Sequence, residues 1–312
     1  MTLLFLTSTL SRESILRVLE GAREGDHRAA EEGAEEAEAA IEAGFEGGLD
    51  EAAMHALPSD VVIGPHTKVR LSSKGRELNF VAEVLERWLA RCPEGPLRLG
   101  ELRAGMAMGA LAYGWSGTVV HAVAGDPRSL SELCQLADLP SPEIVEEHVG
   151  AMEEVGLLEC EDDPVLGERY AATRWLRQGI APITAAARLE RRDGMDDTAP
   201  LDALDVGAGL MLALPLIEAP DDVGGPCRLE VELDDGSLAG AVAHVLPGEP
   251  MWGDLGIDFE AVETKATASL GDWLDTVIEP GVKRVRTRGD RKLASVLAKT
   301  GLQRALFGPD PD

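Results

Sequence analysis

The sequence has few aromatic residues and few cysteines, and each scarcity excludes a class of site. Phe, Trp and Tyr make up 4% of its 312 residues, too few for the aromatic surfaces on which proteins stack single-stranded nucleic acids. Its four cysteines are far apart, without the paired spacing of a zinc site or a disulfide framework, and its six histidines never fall at metal-ligand spacing. We therefore expect no metal and a reducing, cytoplasmic location.

Long apolar runs are also absent. No stretch approaches the ~20 residues that a membrane-spanning helix needs. The apolar start at residues 1–6 lacks a basic beginning and a small-residue cleavage site, and it continues into a helical pattern as far as Glu20. We interpret it as a first core helix rather than a signal peptide, and we expect no contact with a membrane.

Positive charge is the third scarcity. The chain has 29 Lys and Arg against 56 Asp and Glu, so its formal net charge is −27. A protein that binds duplex DNA is expected to show a basic face, and the overall charge opposes that function. The hydrophobic content of 45% is ample for globular folding, and a length of 312 residues suggests two or three domains.

The middle of the chain shows three helical patterns followed by a hairpin pattern. The third helix starts at Ser141 and Pro142, a capping residue and a residue that suits the first helical turn. Val145, Val149 and Met152 then form an apolar stripe that predicts a buried face. The other predicted segments are two helices (111–124 and 126–137), two strands (157–160 and 169–172) around a polar turn, and a helix from 174.

This order resembles the HxlR/MarR class of winged-helix transcription regulators. The likeness rests on Trp-Ser at 115–116, Ser-Leu-x-Glu-Leu at 129–133, Glu-x-Val-Gly-Leu-Leu at 153–158 and Tyr-x-x-Thr at 170–173. It covers the middle third of the chain, and it implies a winged-helix domain over residues 97–192. A regulator of this class is expected to bind duplex DNA.

The first hundred residues read as a degraded copy of the second hundred. Residues 10–21 parallel 114–125, and residues 69–78 parallel 169–177, as expected of a tandem duplication. We therefore predict a degenerate winged-helix domain over residues 1–96. Its candidate DNA contacts form a small basic patch of Lys68, Arg70, Lys74 and Arg76. The alternative is that these residues belong to a solvated hairpin.

The second winged-helix domain has an acidic third helix. In the regulator class this helix enters the major groove with Arg, Lys, Ser, Asn or Gln on its outer face. Here the outer face carries only glutamates and a glycine, and the predicted wing is acidic as well. Carboxylates near phosphates cost free energy where cations would release counterions. His148 and Arg169 are the candidate DNA contacts that remain.

The last third changes to strand patterns. They predict strands over 227–233, 238–246, 261–269 and 283–288 and helices over 270–278 and 291–306. The segments Ala-Thr-Ala-Ser-Leu-Gly-Asp-Trp-Leu at 266–274 and Val-Arg-Thr-Arg-Gly-Asp at 285–290, the latter before a helix, resemble the type 2 sterol-carrier-protein domain. The likeness implies an α/β sandwich over residues 198–312 that holds a lipophilic molecule between a sheet and its helices. The candidate lining residues are Met211, Trp252, Trp273, Leu274, Val277 and Ile278. The alternative is that these residues only fill a small core.

Two further motifs leave alternatives open. Asp205-Val-Gly207-Ala-Gly209 matches the opening of S-adenosylmethionine methyltransferase domains, although the next expected glycine is Met211. Strand alternation places Arg284, Arg286 and Arg288 on one face. We expect that face to dock on an acidic surface of this chain or of a second copy.

These patterns predict an α+β chain with two tandem winged-helix domains and a sterol-carrier-like domain. The first functional interpretation is a ligand-responsive transcription regulator. The second is a regulator-derived protein that has lost DNA binding and binds a hydrophobic metabolite or a protein partner; a methyltransferase-like enzyme is a third. Expected partners are a small hydrophobic molecule, duplex DNA under the first interpretation, and a second copy in a homodimer. No nucleophile signature occurs, so we expect no catalytic residue and no cofactor.

Overall fold

The computed structural model describes residues 62–63, 70–71, 73–99, 101–112, 114–136, 141–193, 201–255, 261–279 and 284–308. These residues form an α+β fold. The chain divides into two compact units, Met1–Glu83 and Val84–Asp312. The predicted domains 97–192 and 198–312 therefore both belong to the second unit.

In the first unit, two short antiparallel strands are described, β1 (Val62–Ile63) and β2 (Arg70–Leu71). Helix α1 (Ser73–Leu89) starts in this unit and ends in the second one. Its buried residues include Val81, Val84, Leu85, Trp88 and Leu89. The sequence predicts an apolar stripe of Phe80, Val84, Leu85, Trp88 and Leu89 here, and the last four of these residues are buried.

Four helices and a hairpin follow: α2 (Leu102–Ala112), α3 (Gly114–Val123), α4 (Leu130–Cys134), α5 (Pro142–Glu154), β3 (Leu158–Asp163) and β4 (Gly167–Ala172). Ser129 caps α4 in a capping box with Glu132, and Ser141 caps α5 by accepting a hydrogen bond from the backbone N–H of Ile144. The predicted stripe of α5 is buried: Val145, Val149 and Met152.

The hairpin is longer than predicted. Its strands pair from Leu158 with Ala172 to Asp163 with Gly167. The Asp163 carboxylate accepts hydrogen bonds from the backbone N–H groups of Val165 and Leu166, both at 2.8 Å. This local bonding stabilises the turn and lets the polar residues at the tip continue the two strands.

Helices α6 (Arg174–Gln178) and α7 (Ile180–Asp193) lead to the last part of the unit. There α8 (Ala203–Ala213) and a 3₁₀ turn (Leu214–Leu216) precede a five-stranded sheet. The remaining elements are β5 (Gly225–Glu232), β6 (Leu238–Val245), β7 (Trp252–Asp254), β8 (Lys265–Ser269), α9 (Leu270–Ile278), β9 (Arg286–Arg288), α10 (Arg291–Ser295), a π-helical turn (Val296–Gly301) and α11 (Leu302–Phe307).

The strand order in the sheet is β7-β6-β5-β8-β9. Strands β5 and β8 are parallel, and the other neighbours are antiparallel. The sequence predicted β5, β6 and α9 nearly to the residue. The strands predicted over 261–269 and 283–288 are shorter, because only Lys265–Ser269 and Arg286–Arg288 pair with a neighbour.

Alternation along the strands separates two faces of the sheet. The helix-covered face carries Cys227, Leu229 and Val231 of β5, and it is otherwise lined by alanines of β6 and β8. Small side chains let the helices approach the sheet closely. The opposite face, here called the polar face, carries Arg228, Glu230, Val242, His244, Trp252, Lys265 and Thr267.

Helix α8 lies between the sheet and the preceding helices. It packs on β6 and β7 and also contacts α3, α6, α7 and α11. Asp202 caps it in a capping box with Asp205. Gly207 and Gly209 therefore lie inside a helix, and the methyltransferase interpretation of this segment is wrong, because its glycines have to form a loop between a strand and a helix.

Two tryptophans join α1 to α6. The indole rings of Trp88 and Trp175 stack with centroids 4.8 Å apart. Each indole N–H donates to the backbone carbonyl of the other residue at 2.8 Å. Both side chains are buried, so water does not compete for these hydrogen bonds and the pair ties two distant segments together.

We expect Trp175→Phe to lower the free energy of unfolding by about 1–3 kcal/mol, because it keeps a ring but removes a buried hydrogen bond and leaves space beside Trp88 unfilled. Trp175→Ala should cost about 3–5 kcal/mol. Urea denaturation measures both. Trp252→Phe is the matched control: Trp252 is half exposed, and the change should stay within about 0.5 kcal/mol. Equal effects of Trp175→Phe and Trp252→Phe would contradict this assignment.

Candidate binding surfaces

Four of the six predicted ligand residues lie together on α9. Trp273, Leu274, Val277 and Ile278 are all less than 10% exposed. The indole N–H of Trp273 donates to the carbonyl of Glu230 in β5 at 2.7 Å. These side chains pack α9 against its surroundings, which is the core alternative that the sequence left open.

The other two predicted residues are separated by the sheet. Met211 packs on the helix-covered face, where a Cβ added to Gly253 would lie 2.5 Å from the Met211 sulfur. Only glycine permits that approach. Trp252, one residue earlier in the same strand, points to the polar face. The structure therefore does not bring Met211 and Trp252 into one pocket, since adjacent strand residues point to opposite faces.

Trp252 stacks on His244. The two ring centroids are 3.8 Å apart and the planes are inclined by 8°. Trp252 remains 49% exposed, whereas the Nε2 atom of His244 is buried and has no hydrogen-bond partner among the described residues. Register explains the stack, because the two residues are directly opposite in the β6–β7 pair.

The centre of the polar face holds a buried carboxylate. Glu230 is 4% exposed and pairs with Arg228 and with Lys265, whose Nζ lies 3.1 Å away. The Thr267 hydroxyl also donates to it. Burial opposes the ionisation of Glu230, but the hydrogen bonds from Thr267 and Lys265 and the charges of Arg228 and Lys265 outweigh it and lower its pKa from 4.5.

The two candidate DNA contacts predicted in residues 97–192 carry no free positive charge. Arg169 donates to the carbonyl of Pro127 at 2.5 and 3.1 Å and lies 3.2 Å from Glu132. His148 is half-buried, and desolvation lowers its pKa more than the charge of Glu147 raises it. Neither offers a free positive charge near neutral pH.

The basic patch predicted near the start of α1 is only partly described. Arg76 is exposed. The side chains of Arg70 and Lys74, and the whole of Lys68, lie outside the described residues. The basic-patch prediction therefore stays a prediction.

The exposed surface of α5 and the hairpin is acidic. On α5, the exposed residues include Glu143, Glu146, Glu147, Glu153 and Glu154. A cleft of about 570 Å³ lies beside the hairpin. Its lining includes Asp126, Arg128, Glu161, Asp162 and Arg169. Arg128 contributes little free positive charge there, because its guanidinium donates to the Ala122 carbonyl at 3.3 Å and lies 3.6 Å from Glu132.

An arginine–carboxylate cluster joins α7 to α9. Asp275 accepts a hydrogen bond from Arg188 at 2.9 Å, from Arg192 at 2.9 Å and from Arg284 at 2.8 Å. Glu279 pairs with Arg188 and Arg192 as well. Arg188 is 4% exposed and Asp275 9% exposed. We call these five residues the α7–α9 cluster.

Of the three arginines expected from the sequence to dock on an acidic surface, Arg284 belongs to this cluster. Arg284 pairs with Asp272 and Asp275, and Arg286 pairs with Glu232, so both bind carboxylates of the same C-terminal part. The arginines that connect the preceding helices to the C-terminal part lie on α7 instead. Sequence analysis did not single out Arg188, Arg191 and Arg192, because these residues form no regular pattern in the sequence.

Comparisons with known proteins identify no relative. No known protein family and no curated protein matches the sequence. Two solved structures of the MycE methyltransferase from the mycinamycin biosynthetic pathway, one with Mg and SAH and one also with mycinamycin VI, align at TM-scores of 0.25 and 0.24. Their identities are 14% and 13%. The first alignment spans 45% of this chain and 44% of that one, the second 45% of each. Likeness at this level carries no information on fold or activity.

No group of three or more His, Cys, Asp or Glu side chains among the described residues is placed to hold a metal ion. No described helix is long and apolar enough to cross a membrane.

We expect Arg188→Met to lower the free energy of unfolding by about 3 kcal/mol. We expect the lower end of the range of losses for a broken buried ion pair, because Arg192 and Arg284 still contact Asp275 in the variant. Arg191→Gln is the matched control on the same helix. Its pair with Asp234 is exposed at 38% and 56%, so the loss should not exceed about 1 kcal/mol. Equal losses in urea denaturation would show that the cluster is no more than a surface contact.

Cysteine labelling tests the packing of the sheet. Burial, with a smaller effect of Asp290, raises the pKa of Cys227 to about 12, so its thiolate is scarce at pH 8. Cys160 is exposed, but desolvation and the carboxylates of Glu168, Glu153 and Asp162 raise its pKa. Iodoacetamide should modify Cys160 slowly, faster in high salt, and leave Cys227 intact, as peptide mass mapping will show. The urea-unfolded chain is the control, and equal labelling of Cys227 in both states would contradict the buried position.

Proposed function

We propose that this chain is a regulator-derived binding protein with a winged-helix-like part, in which α5 does not read duplex DNA. The C-terminal part, sterol-carrier-like in the proposal, is its ligand-binding part. The order of α3, α4, α5, β3 and β4 supports the winged-helix assignment. The sheet with helices on one face supports the C-terminal assignment.

The exposed face of α5 carries the proposal. A groove-binding helix has to bring hydrogen-bond donors and cations to the DNA. The exposed side of α5 instead presents glutamates, and Arg169 of β4 is held by Pro127 and Glu132. Each of these glutamates would meet phosphate oxygens without a counterion. Loss of DNA binding follows from repulsion and not from a change of architecture.

The two parts of the second unit share a continuous interior, which suits a binding function. Helix α8 contacts α3 and α6 on one side and the sheet on the other. Arg177 of α6 donates to the carbonyls of Ala124 and Met211 at 3.2 and 3.4 Å. A ligand that displaced α8 would therefore also displace the helices that α8 contacts beside the hairpin.

Gel-shift titration of the full chain tests the DNA half of the proposal. Wild type should bind duplex DNA no more tightly than the non-specific range of ~10⁻⁴–10⁻⁶ M. The triple variant Glu146→Lys, Glu147→Lys, Glu153→Lys should bind more tightly, with an affinity that falls steeply with salt, because it turns the exposed face of α5 basic.

A matched triple variant controls for net charge. Glu218, Glu249 and Glu263 are exposed and lie in the C-terminal part. Changing these three to Lys alters the charge equally but leaves α5 unchanged, so it should gain much less affinity. Submicromolar, sequence-specific binding by wild type that is weakened by substitutions on α5 would overturn the proposal.

A further inference from the structure

The polar face of the sheet ends in an exposed aromatic group. Trp252, His244 and Pro226 are successive partners across β7, β6 and β5. Directly opposite residues point to the same side, so three ring-bearing side chains form one cross-strand row. Leu246 continues β6 beyond His244 and is 51% exposed. An apolar surface of four side chains results.

One side of the Trp252 ring is free. Stacking at 3.8 Å with nearly parallel planes places His244 against the other side of the indole. The remaining 49% exposure of Trp252 therefore belongs to its outer side and edge. His244 fixes the orientation of the indole, although its Nε2 atom is buried without a hydrogen-bond partner among the described residues. A ring held in one orientation with one side free can stack a second planar ring.

We propose that Trp252 is the stacking surface for a planar aromatic small molecule, with His244 as its positioning residue. The inference rests on the proposed role of the C-terminal part in ligand binding, and it moves the ligand from the core around α9 to the polar face. Base-like ligands stack on aromatic side chains in the same manner.

The charge of the protein selects the class of ligand. The chain has a formal net charge of −27, which favours the approach of a cationic ligand over that of an anionic one. A cationic ring also gains from the face of the indole. The ligand is therefore a planar aromatic that is cationic or neutral.

The size of the surface favours a small molecule over a protein. A stable protein interface takes about 20–30 residues on each side. Only the three side chains of this row and Leu246 form the surface. The neighbouring exposed Leu255 packs toward Gly207 of α8, on the helix-covered side. One planar ring covers the exposed side of an indole.

The experiment is a calorimetric titration of the full chain at 150 mM salt with two planar dyes, cationic proflavine and anionic 1-pyrenesulfonate. We expect saturable binding of proflavine and weaker binding of pyrenesulfonate. Trp252→Ala should weaken proflavine binding at least about tenfold, and Trp252→Phe should weaken it less because a ring remains. His244→Ala should also weaken binding, because the indole loses its support. Thermal melting checks that every variant is folded.

Leu238→Ala is the matched control. Leu238 is 55% exposed and starts the same strand as His244, and neither this change nor Trp252→Ala alters the net charge. It should bind proflavine as wild type does. Equal proflavine affinity of wild type and Trp252→Ala would sink the inference but leave a ligand site elsewhere in the C-terminal part, and so leave the proposed function. Absence of saturable binding of both dyes to wild type would overturn both the inference and the ligand half of the proposed function. Tighter binding of pyrenesulfonate would overturn the assigned ligand charge.

Discussion

The C-terminal half of α8 has no polar side and has to be covered all round, and it meets that requirement by lying between two layers. Leu210, Met211 and Leu212 point in successive directions around its axis, yet all three are buried. Each such side chain contributes about 1.5–3 kcal/mol when it leaves water. Neither the sheet alone nor the preceding helices alone could cover this surface. The grouping of residues 84–312 into one compact unit follows from that requirement.

Polar contacts fix the orientation of the helices that pack around α8. His121 on α3 lies 3.2 Å from Asp205 on α8. The hydrogen bond from His121, opposed by burial, lowers the pKa of Asp205, so this contribution is present near neutral pH and is lost as the pH falls through the lowered value. The α7–α9 cluster provides a second set of directional contacts, farther along the same interface. Apolar burial supplies most of the stability, and these ion pairs select one arrangement.

The region from α3 to β4 separates architecture from chemistry. Its buried residues include Val145, Val149 and Met152 of α5. Its exposed side is free to vary without disturbing that interior, and here it is acidic. A pattern of buried residues therefore predicts the backbone of this region far better than its function. The physical reason is that packing selects the buried residues alone.

Much of the local structure was determined by the sequence itself. A cap and an apolar stripe predicted α5, and alternation followed by a hairpin turn predicted β5 and β6, because these signals depend on neighbours a few residues away. The acidity of α5 was equally plain in the sequence. Only the tertiary structure decided which face of the sheet Trp252 occupies, which arginines bridge α7 and α9, and that Trp273 is a core residue. Those outcomes depend on strand register and on contacts between residues some forty to ninety positions apart, and no local pattern carries that information.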